Sequence, residues 1–180
     1  VLSRPTSPIP AGRLLFSLAL VVSLGVCAGA GEAAAKPGSV VIHGYPYARR
    51  CPAAGKQELV DRWGMYACNC TSFVAWALHA NRQRTDWFVR GSMDAWNWPN
   101  VARRKGLRVA STPRVGAVAA WPKLGRPFGH VAYVTGLHDD GTFDVAEYNR
   151  PGDRSNRFRF DIRTHVEREG ASFIDVPERG

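Results

Sequence analysis

Cys70 stands near the head of a run of residue types that could support nucleophilic chemistry. Downstream of it, Phe73, Val74, Ala77 and Leu78 recur at helical spacing on one face. Asn69, Thr71 and Ser72 are capping residue types, which predicts a helix starting near 69–72 and running to about Asn81. Cys70 then occupies the first turn, where unpaired backbone N–H groups and the positive end of the helix dipole favour a thiolate. A cysteine so placed is a candidate nucleophile for acyl transfer, provided that a histidine reaches it.

His130 is the histidine best placed to do so. It begins an apolar run, 130–137, that reads as a strand. Asp140-Gly141 is a hairpin turn signal, and 142–149 reads as the return strand. A two-residue turn pairs Asp139 with Thr142, hence Ala132 with Asn149 and Val134 with Glu147. Side chains alternate across a sheet and opposed residues share a face, so His130, Glu147 and Asn149 all project from one side. A single one-residue bulge would break that parity. A carboxylate or a carboxamide on one imidazole nitrogen would fix the tautomer and leave the other nitrogen for a thiol. If the helix packs against that face, Cys70 and His130 meet.

The elements that must position these groups follow in order. The chain has 180 residues and a net charge of +9, with 45% hydrophobic residues, enough for one domain with a real core. Arg4 and Arg13, the apolar run 14–24 and the small residues Ala28-Gly29-Ala30 read as a secretory signal peptide over 1–30. Its removal takes two arginines and no acid, leaving +7. A basic exported chain suits an anionic partner. No nucleic-acid motif accompanies Arg49-Arg50 or Arg103-Arg104-Lys105, so nucleic acid is not expected as a partner.

Cys27 leaves with the signal peptide, and Cys51, Cys68 and Cys70 remain in an oxidising compartment. The simplest arithmetic is a Cys51–Cys68 disulfide with Cys70 free. Residues 31–44 are expected to form a flexible leader, and 57–63 a short helical turn. A helical pattern begins near Ser92, is interrupted by Pro99 and resumes over 100–105. Strand signals follow at 107–109, 115–121, 130–137, 142–149, 158–162 and 172–176. Helices first and then an antiparallel sheet is an α+β order.

Taken together, Asn69-Cys70-Thr71-Ser72-Phe73-Val74, Pro113-Arg114-Val115-Gly116-Ala117-Val118, Gly129-His130-Val131-Ala132-Tyr133-Val134 and Glu147-Tyr148-Asn149 resemble the CHAP family, over about residues 45–176. CHAP domains are cysteine- and histidine-dependent amidohydrolases or peptidases. The resemblance implies a papain-like (NlpC/P60-like) α+β catalytic domain with its N-terminal helices packed on the antiparallel sheet. It implies hydrolysis of a peptidoglycan amide bond, in a stem peptide or cross-bridge, by an N-acetylmuramoyl-L-alanine amidase or endopeptidase without cofactor or metal. By motif position Cys70 is the nucleophile and His130 the general base. Glu147 or Asn149 orients His130, with Glu147 favoured. Asn69 stands where many relatives carry Gln, an oxyanion-hole candidate of shorter reach.

Blander readings apply elsewhere. Trp63 and Tyr133 are candidate cleft walls, whereas Trp76, Trp96 and Trp121 read as core. His43, His79, His138 and His165 read as structural or surface residues. Cys68-x-Cys70 lacks zinc-ligand spacing. A monomer is expected, with anionic wall polymers as a further partner. The competing functions are a catalytically silent wall-binding module of the same fold and a sister hydrolase with a Cys-His-His site. Glu147 and Asn149 stand where the latter would need its second histidine.

Overall fold

The computed structural model describes residues 39–53, 59–89, 94–155 and 157–180. The expected signal peptide, most of the expected leader and residues 57–58 of the expected helical turn lie outside the described residues. Among the described residues two α-helices, α1 (Cys70–Ala80) and α2 (Trp98–Arg104), precede six strands: β1 (Arg108–Ala110), β2 (Val118–Trp121), β3 (His130–Leu137), β4 (Phe143–Tyr148), β5 (Phe160–Val166) and β6 (Ser172–Asp175). The strands form one antiparallel sheet in the order β1-β6-β2-β3-β4-β5.

The sheet is buried on both faces because alternate side chains on its central strands serve two clusters. On one face Val131, Tyr133, Ala146 and Tyr148 pack with Phe73, Val74, Ala77 and Leu78, the apolar stripe of α1. On the other, Ala132, Val134 and Val145 pack with Trp121, Phe143 and Phe173. The helix α1 contacts β3 and β4, and α2 contacts β1 and β6.

The β3–β4 register departs from the two-residue turn in two places. His138 N–H donates to Thr142 O, closing a three-residue loop, Asp139-Asp140-Gly141. A second irregularity falls between Val134 and Gly136. Tyr133 therefore pairs with Ala146, where a two-residue turn would pair it with Tyr148. Each irregularity alone would invert the faces; two restore the parity. His130 and Glu147 thus share a side, although their partners differ from the expected ones.

Other local expectations are revised. Residues 59–63 form no helical turn. Val60 bridges Tyr66, and Asp61 Oδ1 accepts from Trp63 N–H and Met65 N–H, each at 2.9 Å. An acceptor side chain followed by Gly64 at φ +83° favours a tight turn over a helix. Pro99 does not interrupt a helix; it sits in the first turn of α2, where a missing N–H costs nothing. Residues 39–44 are docked on the body: Val41 exchanges two hydrogen bonds with the Asn81 side chain, and Val40 and Ile42 pack against the core.

The start of α1 is pinned from outside. Cys51 and Cys68 form a disulfide across 17 residues of sequence, leaving Cys70 as a free thiol. Tyr45 Oη accepts from Cys68 N–H at 3.0 Å and hydrogen-bonds Ser72 Oγ at 2.6 Å, all buried. Burial of its hydroxyl holds the Tyr45 ionisation well above the ordinary range. Cys68 adopts φ +65°, a left-handed conformation uncommon for cysteine. The disulfide and Tyr45 over-determine that turn, so the next two residues, Asn69 and Cys70, enter α1 in a fixed direction.

Candidate active site

Cys70 is the first residue of α1 and half-buried. Asn69 precedes it in extended geometry and makes no side-chain capping bond to the helix. The first-turn N–H groups therefore receive no acceptor from the Asn69 side chain.

His130 opens β3 and is fully buried. Gly129, before it, has φ +75°, and a Cβ there would lie 2.3 Å from Trp96 N, so only glycine lets that backbone approach. Trp96 N–H donates to Phe128 O at 2.9 Å, tying the approach together. His130 Nε2 is 2.6 Å from Glu147 Oε2, also fully buried. Arg163 clamps the same carboxylate from the other side, with Nε on Oε1 at 2.5 Å and Nη2 on Oε2 at 3.2 Å. The Trp121 ring stacks on His130 at 6.1 Å, and the Arg163 guanidinium lies over Trp121 at 5.6 Å.

These contacts set the protonation. Burial alone lowers the His130 pKa, but the charge and hydrogen bonding of Cys70 and then of Glu147 outweigh it, and the imidazole is pushed up to about 9. Burial alone raises the Glu147 carboxyl; hydrogen bonds and charge from His130 and Arg163 carry it below its ordinary value. An imidazolium beside the Glu147 carboxylate is the favoured state at neutral pH. Among the described residues the buried Nδ1 has no hydrogen-bond partner within ordinary distance. With Nε2 committed to Glu147, it is the nitrogen that remains for the Cys70 thiol.

The two groups do not meet across the helix–sheet interface, as the sequence suggests. The α1 stripe covers the face carrying Val131 and Tyr133, whereas His130 and Glu147 alternate to the face carrying Ala132 and Val145. Cys70 and His130 meet at one end of the sheet, where α1 and β3 both begin. There they line a cleft of about 570 Å³ with Asn69, Tyr66, Asp94 and Arg154.

Asn149 does not touch His130 among the described contacts. It stands just past β4 at φ +52°, donates from Nδ2 to Asn69 Oδ1 at 2.6 Å, and accepts at Oδ1 from Phe158 N–H at 3.1 Å. Asn69 Oδ1 is thereby occupied, which orients the Asn69 amide group beside Cys70.

The two expected cleft walls are displaced. Tyr133 is buried in the core under α1 and donates to Gln83 Oε1 at 2.6 Å. Its odd position on β3 turns it away from the face of His130. Trp63 lies against His79 and Arg62, outside the cleft. Tyr66, Phe128 and Phe158 supply the aromatic lining instead. Trp121 is buried, as expected of a core residue, yet it also covers His130; Trp96, expected in the core, is exposed. Arg163 is the site residue that sequence reasoning missed. An arginine in a polar edge strand carries no local signal, and only the pairing of Val145 with Arg163 places it beside Glu147.

Comparison with known proteins agrees with the fold and the motifs. The chain is 29% identical over 96 residues to "Probable autolysin LDP" of Staphylococcus aureus, covering 53% of this chain and 33% of that protein. It is 41% identical over 56 residues to the staphylococcal secretory antigen SsaA of Staphylococcus aureus, covering 31% and 21%. The crystal structure of an N-acetylmuramoyl-L-alanine amidase from Staphylococcus aureus superposes with a TM-score of 0.55 at 21% identity, covering 68% of this chain and 34% of that one. The matches thus span about a fifth to a third of these proteins. The CHAP domain profile matches residues 60–149, a segment that includes Cys70, His130, Glu147 and Asn149, and this chain belongs to the CHAP domain family.

Proposed function

We propose that this chain is a secreted peptidoglycan hydrolase that cleaves an amide bond through a Cys70 thioester. The observation that carries the reading is a buried imidazole with Nε2 held by Glu147 and Nδ1 left toward a free thiol at the cleft. His130 Nδ1 carries the proton given up by Cys70 before the attack. Sγ attacks the amide carbonyl carbon, and the oxyanion is held by Cys70 N–H and Asn69 Nδ2. Asn149 acts as a positioning residue by fixing which end of the Asn69 amide faces the cleft. As the intermediate collapses the C–N bond breaks and Nδ1–H protonates the leaving amine. Water then attacks the thioester, giving its proton to Nδ1 and releasing the acid and the thiol.

Several features support a peptidoglycan substrate and an extracellular site. Relatives are named autolysin and secretory antigen, and residues 1–30 have the pattern of an export signal. The cleft places Asp94 on its lining together with Arg154 and Arg157, a mixed-charge surface suited to stem peptides bearing both amines and carboxylates. The bond is the lactyl–alanine amide or one within the stem or cross-bridge. Mass spectrometry of muropeptides released from purified wall identifies it. Products formed by the native chain and absent with Cys70→Ala are expected. Wall binding without products, equal for both proteins, would instead make this a silent binding module.

A further inference from the structure

Away from the cleft, His138, Asp144 and His165 gather at the far end of the β3–β4 hairpin. One ligand atom from each lies within 4.8 Å of the others. We propose that these three side chains form a binding site for a borderline divalent transition metal such as Zn²⁺, with a fourth position open to water.

The backbone is shaped around this group. Register irregularities fall on both sides of Asp144, between Val134 and Gly136 on β3 and between Phe143 and Val145 on β4. The second sets two residues, Thr164 and His165, against Asp144, and His165 adopts φ +53°. Bulges and left-handed residues of this kind re-aim side chains at a cost and mark functional positions. Gly136, opposite Asp144, lacks the Cβ that would lie 2.7 Å from Asp144 Oδ2. Asp144 Oδ1 accepts from His138 Nε2 at 2.7 Å and from His165 N–H at 3.1 Å. The two imidazoles stack at 3.8 Å with 13° between planes.

The donor set is two imidazoles and one carboxylate, the chemistry that selects zinc and its neighbours over magnesium or calcium. His138 and Asp144 are partly exposed, with side chains 28% and 23% accessible, so an ion can enter from solvent. Ligands at about 2.0–2.1 Å in tetrahedral geometry stand about 3.3 Å apart. The metal would therefore replace the proton between His138 and Asp144 and open their contact slightly. Asp140, whose charge reaches both histidines, adds a second negative group nearby. The Arg168 side chain lies near Gly141 and opposes it. Three neighbouring strands would be tied at one point. His138 is eight residues along an extended strand from His130, about 25 Å away, so the role is structural.

The test uses the purified chain freed of metal by a chelator and titrated with Zn²⁺ and Co²⁺. One equivalent is expected to bind, raising the melting temperature, with at least a tenfold loss of affinity in His138→Ala, Asp144→Ala and His165→Ala. The Co²⁺ form is expected to show d–d bands without a thiolate-to-cobalt charge-transfer band. Circular dichroism of each variant controls for folding, and His165→Asn, which keeps a polar side chain at its left-handed position, serves as a second variant. A thiolate band would place the metal on Cys70 instead. That result, or equal affinity in His165→Asn and the native chain, or no binding below millimolar metal, would overturn the proposal.

Discussion

Replacing Glu147 by Gln removes one charge and leaves the shape. The structure makes this a severe change. Oε1 accepts from Arg163 Nε, and Oε2 accepts from Arg163 Nη2 and His130 Nε2. Both oxygens face donors, so either orientation of a Gln amide sets an N–H₂ group against an N–H. A buried polar mismatch costs about 1–3 kcal/mol. Breaking a buried ion pair by removing one partner costs about 3–5 kcal/mol, and Arg163, at 23% exposed, can relax toward water. A stability loss near 3 kcal/mol follows. The imidazole standing at about 9 against its ordinary 6.5 is worth roughly 3 kcal/mol in favour of imidazolium, part of it from Glu147. In the native chain the raised His130 pKa stabilises the fold fully below about pH 6.5, and this is lost as pH rises through about 9. Glu147, whose pKa is depressed, stabilises above its ordinary 4.5, and this is lost as pH falls through the lowered value. Wall hydrolysis measured as kcat/KM against pH is therefore expected to have an alkaline limb near 9. With Glu147→Gln that limb falls by about one pH unit or more, and kcat drops roughly 10²–10³-fold. A folded Glu147→Gln protein retaining half the native activity with an unmoved alkaline limb would refute the reasoning.

Asn149→Ala separates the two polar residues that follow β4. It removes the donor to Asn69 and not a partner of His130, so kcat is expected to fall about tenfold, or ~1.4 kcal/mol, with the alkaline limb unmoved in the same pH series. A downward shift of that limb would return Asn149 to the role of orienting His130. Cys51→Ser combined with Cys68→Ser opens the loop closed by the disulfide. Denaturant unfolding is expected to show a loss of about 3 kcal/mol, while Cys70 still reacts with iodoacetamide. Tyr45→Phe strands the buried Cys68 N–H and loosens Ser72. Urea unfolding should show about 1–3 kcal/mol less stability, and an unchanged midpoint would mean that Tyr45 does not pin the start of α1.

Much of the candidate site's placement was legible because its signals are local. The stripe Phe73, Val74, Ala77 and Leu78 and the residue types around Asn69 placed Cys70 within one turn of the helix start, and α1 begins there. The apolar run from His130 gave the limits of β3. The face shared by His130 and Glu147 was legible too, although through a register that does not occur. Two one-residue irregularities cancelled, and nothing in Thr135 or Asp139 announces either. Trp63 and Tyr133 failed as cleft residues for a related reason: aromatic type does not say which side of an element meets solvent.

The amino-acid order by itself determined the course of α1, the strand runs, the free thiol, the histidine and the acid, since periodicity and residue type depend on neighbours a few residues apart. Only the tertiary structure decided who touches whom. It set α1 on the face opposite His130, so that the thiol and imidazole meet at the end of the sheet where β3 starts. It gave Glu147 to His130 and Asn149 to Asn69, and brought Arg163 from β5 to the buried carboxylate. Those contacts join residues that are 16 to 80 positions apart. They depend on strand register and on which side each strand turns inward, and a single inserted residue inverts that without altering any local pattern.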